Sequence, residues 1–283
     1  MKKRMIKALL AIGTAVCVGL CGCAKDGDGD KDRNSRQEEE DDEDEDDEDD
    51  DDEDDDDRQE PSSQPPVDDD RPVDPVAEEA EAIYREKLLE LCDSLSDMDA
   101  ALMAGEEDLY WLPDFRYVVD QVGDSPLDLV GYAIEDLSGD GVPELILASE
   151  ALTEDDLGMN IHNIYTIKDG ECVLVVQGWA RNRQYLLRSG LLLNEGSSGA
   201  MSSCHGVYRL SKDGTEQEWE EFYFSEADAA TGQMVFFLNQ SGEWDPSVSE
   251  KLKINEEQFW EIREEYEKLI CDIPLTFLSE VCE

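Results

Sequence analysis

The 283-residue chain has only two histidines, His162 and His205, and only 23 Lys plus Arg against 74 Asp plus Glu. So few basic residues exclude nucleic acid as a partner, because phosphate binding draws on clustered Lys and Arg. Adhesion to anionic lipid headgroups is excluded on the same ground. HExxH, P-loop and GxGxxG patterns are missing, and no CxxC spacing occurs beyond residue 23. Glu195-Gly196-Ser197-Ser198-Gly199 lacks the spacing of a nucleophile elbow. His205 follows Cys204, and strand neighbours point to opposite faces, so the two form no thiol–imidazole dyad there. His162, among Ile161, Asn163 and Ile164, reads as a structural residue at the start of a strand. No apolar run reaches the roughly 20 residues that span a bilayer.

The beginning of the chain carries an address. Lys2, Lys3, Arg4 and Lys7 precede an apolar run from Ala8 to Leu20, and Leu20-Cys21-Gly22-Cys23 follows. A basic region, a short apolar region and small residues before a cysteine make a secretory signal. The ending is that of a lipoprotein signal, which predicts cleavage after Gly22 and a diacylglycerol on the thiol of Cys23. Residues 1–22 are then the signal peptide, and the protein sits lipid-anchored on the extracellular face of the cell membrane.

Residues 23–75 form the next segment. Residues 38–57 are twenty consecutive Asp and Glu, and Pro61, Pro65, Pro66, Pro72 and Pro75 follow. Like charge with almost no apolar surface predicts a disordered, extended linker. Its ceiling is about 170 Å, at roughly 3.4 Å per residue.

Residues 76–283 hold 45 acids and 13 Lys plus Arg, a balance of −32, together with all five tryptophans. Apolar periodicity predicts a single globular domain there. Val76, Ala80, Ile83, Tyr84, Leu88, Leu91 and Leu95 repeat as one helical face. A poorly patterned stretch follows through Trp111, Pro113 and Phe115. From Leu129 the period changes, and apolar runs alternate with turns at Gly139-Asp140-Gly141, Asp169-Gly170, Asp213-Gly214 and Ser241-Gly242. This pattern predicts an antiparallel meander with strands near 130–136, 144–149, 162–168, 171–179, 184–188, 191–195, 203–211, 217–224 and 233–239. Asn255 and Gln258 form a capping box, Ile254 and Phe259 a hydrophobic staple. A helix carrying Phe259, Ile262, Tyr266, Leu269 and Ile270 on one face then runs to Pro274. The fold class is therefore α+β, an antiparallel β-meander flanked by an N-terminal and a C-terminal helix.

With Cys23 acylated, five thiols remain outside the membrane: Cys92, Cys172, Cys204, Cys271 and Cys282. The odd number leaves at least one free or paired between chains. Cys271 and Cys282 are spaced to bridge a short C-terminal loop.

The most specific internal motif is Asp136-Leu137-Ser138-Gly139-Asp140-Gly141-Val142-Pro143-Glu144, between two short apolar strands. Calcium takes six to eight oxygens. The side chains of Asp136, Ser138 and Asp140, the Val142 carbonyl and Glu144 offer such a set, and Gly141 permits the turn. An EF-hand fails because position 12 is Leu147. A plain hairpin turn with solvent-facing acids explains the same residues. The loop resembles the calcium loops of FG-GAP and VCBS-type repeats. The wider block from Tyr132 to Leu145 is similar to the "YAxxDxxGDGxPEL" block of uncharacterised Gram-positive surface lipoproteins. That resemblance implies a lipid-anchored N-terminus, a low-complexity spacer, an Asp-Gly-punctuated β-rich domain and a closing helix. Ser138 stands where those loops carry Asp, and the motif occurs once, whereas a propeller needs repeated blades.

Twenty carboxylates at 38–57 also invite a diffuse cation cloud, against the simpler reading of a repulsive spacer. Trp179, Trp219 and Trp244 suggest either a sugar-stacking surface or core. The functional expectation is a non-enzymatic module that binds a surface protein or glycan. A glycan hydrolase using paired carboxylates, or a purely structural envelope protein, is the alternative.

Overall fold

The computed structural model describes residues 75–153 and 156–282. The signal peptide, Cys23 and the acidic linker lie outside the described residues.

The apolar stripe read from the sequence becomes α1 (Pro75–Ser96). Ala80, Tyr84, Leu88, Leu91 and Leu95 are buried along it, and the intervening Glu78, Glu79, Glu81 and Glu86 face solvent. The stretch that lacked a pattern is helical. It comprises α2 (Met98–Ala104), a 3₁₀ turn (Glu107–Leu109), α3 (Leu112–Val122) and α4 (Pro126–Leu129). Each piece is too short for a helical period to stand out. Pro113 lies in the first turn of α3, where its missing N–H costs nothing. Gly105 and Gly123 end α2 and α3 in left-handed conformations.

Nine strands fall within a few residues of the expected positions: β1 (Val130–Glu135), β2 (Glu144–Ser149), β3 (Asn160–Lys168), β4 (Glu171–Gln177), β5 (Asn182–Leu186), β6 (Leu192–Gly199), β7 (Ser202–Leu210), β8 (Gln217–Ala227) and β9 (Met234–Asn239). Two-residue strands β10 (Glu250–Lys251) and β11 (Thr276–Phe277) add edges that the sequence pattern does not show. The β3–β4 hairpin pairs Lys168 with Glu171, and both loop residues, Asp169 and Gly170, have positive φ. That is the type I′ geometry that Asp-Gly favours.

The meander does not stay in one sheet. It divides into a five-stranded sheet, β11-β1-β2-β3-β4, and a six-stranded sheet, β10-β9-β8-β7-β6-β5. The chain crosses between them at Gly178, whose N–H donates to the His162 carbonyl at 2.6 Å. A Cβ at Gly178 would run into the Ile161 carbonyl oxygen.

The layers run α1, first sheet, second sheet and α5 (Glu256–Glu267). β2 is buried at all six positions because both its faces are covered. Leu145 and Leu147 join the cluster beneath α1, whereas Ile146 and Ala148 meet Leu186, Leu192, Tyr208 and Leu210 of the second sheet. On the far side Phe259 packs with Tyr223 and Phe236, and Ile254 joins the same cluster as the staple requires. The capping box is formed: the Gln258 N–H donates to Asn255 Oδ1 at 2.8 Å and the Asn255 N–H to Gln258 Oε1 at 3.1 Å.

Two expectations are corrected here. α5 stops at Glu267 rather than running to Pro274, leaving Leu269 exposed and turning Ile270 into a bridge with Leu187. The disulfide joins Cys92 of α1 to Cys282, with Cα atoms 5.9 Å apart, and Cys172, Cys204 and Cys271 are free thiols. Cys282 returns beneath α1 with Leu278 and Val281 after β11 pairs with β1, and this carries it to Cys92 instead of Cys271. Among the described residues no helix is long and apolar enough to cross a membrane.

Candidate functional site

The Asp136–Glu144 loop joins β1 to β2, and Glu135 pairs with Glu144 at its base. Asp136 Oδ1 accepts from the Gly139 N–H at 2.7 Å, the Asp140 N–H at 3.2 Å and the Ser138 hydroxyl at 3.4 Å. Its Oδ2 accepts from the Gly141 N–H at 3.1 Å. Asp140 Oδ1 accepts from the Val142 N–H at 2.7 Å. Glu144 Oε2 takes the Leu137 N–H at 2.7 Å and the Ser138 N–H at 3.2 Å. The structure thus brings the motif residues together, with their oxygens turned onto the loop's own amides.

Glu144 is fully buried, and its Oε1 has no hydrogen-bond partner among the described residues. A Cβ at Gly214 would meet both Oε1 and the Thr166 hydroxyl, so this oxygen faces the β7–β8 turn instead of the loop. Burial raises the Glu144 pKa, with the Leu137 and Ser138 amides pulling the other way. Among the described residues no three His, Cys, Asp or Glu side chains are grouped to hold a metal ion. As placed, the loop's carboxylates accept from its own amides.

Both histidines are core residues. His162 stacks on Trp111 with ring centroids 4.3 Å apart, and its Nε2 lies 3.1 Å from the Ser149 hydroxyl. His205 lies against Tyr223 and Phe259, at 5.3 Å and 4.4 Å between centroids. Neither of its ring nitrogens has a hydrogen-bond partner among the described residues. Burial lowers both imidazoles to a pKa of about 3, and the nearby Arg263 charge adds to this at His205. Burial also pushes the Cys172 thiol up to about 11 and the Cys204 thiol up to about 12. Cys204 lies with Phe222 and Phe224, on the face of β7 opposite His205, as strand alternation requires.

The tryptophans divide. Trp219 and Trp244 pack into the cluster of Phe222, Phe224 and Phe237, with Trp219 edge-on to Phe222 at 4.9 Å, so they offer no flat sugar platform. Trp179 is exposed at the corner between the sheets.

The feature sequence reasoning missed is a cleft of about 490 Å³ where α2, α3 and α4 meet the end of α1. Leu95 and Met98 lie almost fully buried at its base, Leu127 is partly exposed, and Asp97, Asp99 and Asp120 supply carboxylates. Among the described residues lining it, Arg116 is the one basic residue. It donates to Asp99 Oδ1 at 2.8 Å and to Asp120 Oδ1 at 3.1 Å, tying α2 to α3. The same segment exposes Leu102, Met103, Tyr110, Tyr117 and Val122, with Met103 89% exposed. Among the described residues, five of the ten exposed large apolar side chains fall in these 21 residues. Leu112, Phe115 and Val119, buried at helical spacing, were the available signal for α3.

No family model matches the chain, and no match is found among curated proteins or solved structures.

Proposed function

We propose that the protein is a lipid-anchored, extracellular, non-enzymatic binding module, held away from the membrane by its acidic spacer. The Leu20-Cys21-Gly22-Cys23 context supports the anchor. The observation that carries the non-enzymatic reading is the state of the histidines and free thiols. General bases work near the operating pH and nucleophilic thiols as thiolates. Here burial holds both imidazoles neutral with a pKa of about 3, and raises Cys172 to about 11 and Cys204 to about 12.

A glycan hydrolase would need paired carboxylates flanking a bond in a cleft, one of them raised by burial. Asp99 and Asp120, which line the cleft, have side chains 78% and 63% exposed and share Arg116. The exposed apolar side chains of residues 102–122 favour a binding surface instead.

Two measurements test the proposal. Cys23→Ala is expected to release the protein from the membrane fraction, and retention would overturn the anchor. Incubation of the purified chain with cell-wall glycan is expected to release no new reducing ends. Release that Asp99→Asn or Asp120→Asn abolishes would make it a hydrolase.

A further inference from the structure

A sheet edge presents unpaired N–H and C=O groups that template a further strand, and proteins blunt such edges by shortness, charge or cover. Among the described residues the two sheets end in four edge strands, β11, β4, β10 and β5. β10 and β11 have two residues each, and both residues of β10 are charged. β5 carries Arg183, and the segment after α5 covers its end: the Cys271 N–H donates to the Leu186 carbonyl at 3.0 Å and the Arg188 N–H to the Leu269 carbonyl at 2.9 Å. β4 differs from all three. Among the described residues no strand pairs with it on the side away from β3, and it runs Cys172-Val173-Leu174-Val175-Val176 with neither charge nor proline. The Lys168–Glu171 pair closes the two-residue turn before it. By antiparallel alternation the Val173 backbone then bonds to β3, while the N–H and C=O of Cys172 and Leu174 point outward. Val175 is the extra residue of a bulge, and its carbonyl takes Gln217 Nε2 at 3.3 Å, which ends the open stretch. Cys172 and Leu174 pack toward α1 and Val175 toward the second sheet, so both faces are covered, yet residues 172–175 are each partly exposed.

We propose that β4 is a self-pairing edge, along which two copies of the chain join antiparallel about a twofold axis at Val173. The inference goes beyond the binding-module reading and does not depend on it. The open edge accepts a short, uncharged, extended strand with bonding groups at alternate positions, and β4 itself is such a strand. With Val173 opposite its own copy, Cys172 of one chain lies opposite Leu174 of the other. Both outward-facing residues then exchange N–H···O=C bonds, about four in all, in the self-complementary contact that a twofold dimer requires. Glu171 falls opposite Val175 and Asp169 opposite Gln177, so the register sets no like charges against each other. Val173 belongs to none of the core clusters formed by the described residues, which leaves its side chain available at the axis. The contact is small and residues 76–283 of each copy carry a balance of −32, so salt must screen their repulsion. The dissociation constant is therefore expected to be on the order of 0.1 mM, as for a small transient interface.

The test is sedimentation equilibrium of the full-length chain at about 0.15 M salt, over roughly 10 μM to 1 mM protein, with thermal melts confirming that each variant is folded. The parent is expected to pass from monomer to dimer across that range. Val173→Lys sets a charge against its own copy at the axis and is expected to weaken the dimer roughly tenfold or more. Val173→Cys is expected to form an intermolecular disulfide under mild oxidation faster than the parent does, because directly opposed strand residues bring their Cα atoms within bridging range. A parent that stays monomeric throughout would overturn the proposal, as would association that Val173→Lys leaves unchanged. If Val173→Lys does not fold, Val173→Cys decides alone: cross-linking no faster than the parent's, through its own free thiols, would overturn the pairing.

Discussion

Replacing His205 by leucine should flatten the acid limb of the stability curve. The imidazole is fully buried between the second sheet and α5, and burial together with Arg263 lowers its pKa to about 3. In the unfolded chain it titrates near 6.5. Between those values the unfolded state binds one more proton than the folded state, so this contribution is present above pH 6.5 and is lost as pH falls toward 3. At pH 4.5 the loss is on the order of 3 kcal/mol relative to pH 7.5, since each pH unit across this window counts for a little over about 1 kcal/mol. For a domain of this size that corresponds to roughly 5–10 °C in Tm. Leucine has a similar volume and does not titrate. Any packing cost from lost ring contacts with Tyr223 and Phe259 is the same at every pH and drops out of the comparison. Glu195, whose pKa is raised by burial against the opposing pull of Arg263 and Arg183, contributes with the opposite sign, but it does so in both proteins. Denaturant unfolding at pH 7.5, 5.5 and 4.5 measures the difference. His205→Leu should gain about 2–3 kcal/mol on the parent between pH 7.5 and pH 4.5. Parallel pH profiles for the two proteins would refute the argument.

Glu144→Ala leaves the Leu137 and Ser138 amides without their acceptor and should cost about 2–4 kcal/mol, whereas Glu144→Gln keeps a carbonyl there and should be nearly neutral. Equal losses in denaturant melts would show that Glu144 does not organise the turn. Millimolar calcium should leave the parent Tm unchanged if the loop oxygens serve only the loop amides; a rise of several degrees that Asp140→Ala removes would establish a calcium site. Cys92→Ser opens a ring of 190 residues and should cost on the order of 5 kcal/mol, by loop-closure entropy, while Cys271→Ser should change stability by less than about 1 kcal/mol. Comparable losses in both variants would contradict the Cys92–Cys282 pairing.

Much of the architecture was legible because it rests on short-range chemistry. The α1 stripe, the Asp169-Gly170 hairpin and the Asn255–Gln258 capping box depend on residues a few positions apart, and each stands where the pattern put it. The helices from Met98 to Leu129 were not legible, since runs of four to eleven residues carry too few repeats to separate a helical period from chance. The cleft they form was hidden for the same reason. Arg116 and Asp120 are one helical turn apart, but Asp99 joins them only through packing of α2 on α3.

Alternation and turn residues alone determined that this chain makes antiparallel strands between two helices, and that Asp136 to Glu144 closes a hairpin. They could not decide where the meander divides, because period-two alternation specifies which side chains share a face and is silent on which sheet the next strand joins. That choice was made at Gly178, where only a residue without a Cβ passes the Ile161 carbonyl. Likewise, acidic residues at alternate positions fit a metal loop and a structural turn equally well. The tertiary structure adds where Glu144 lies, buried beneath the β7–β8 turn with Oε1 turned away from the loop. Contacts across 113 residues, from Asp272 to the Met159 amide, and the 190-residue disulfide likewise follow from the packed layers, which no local pattern encodes.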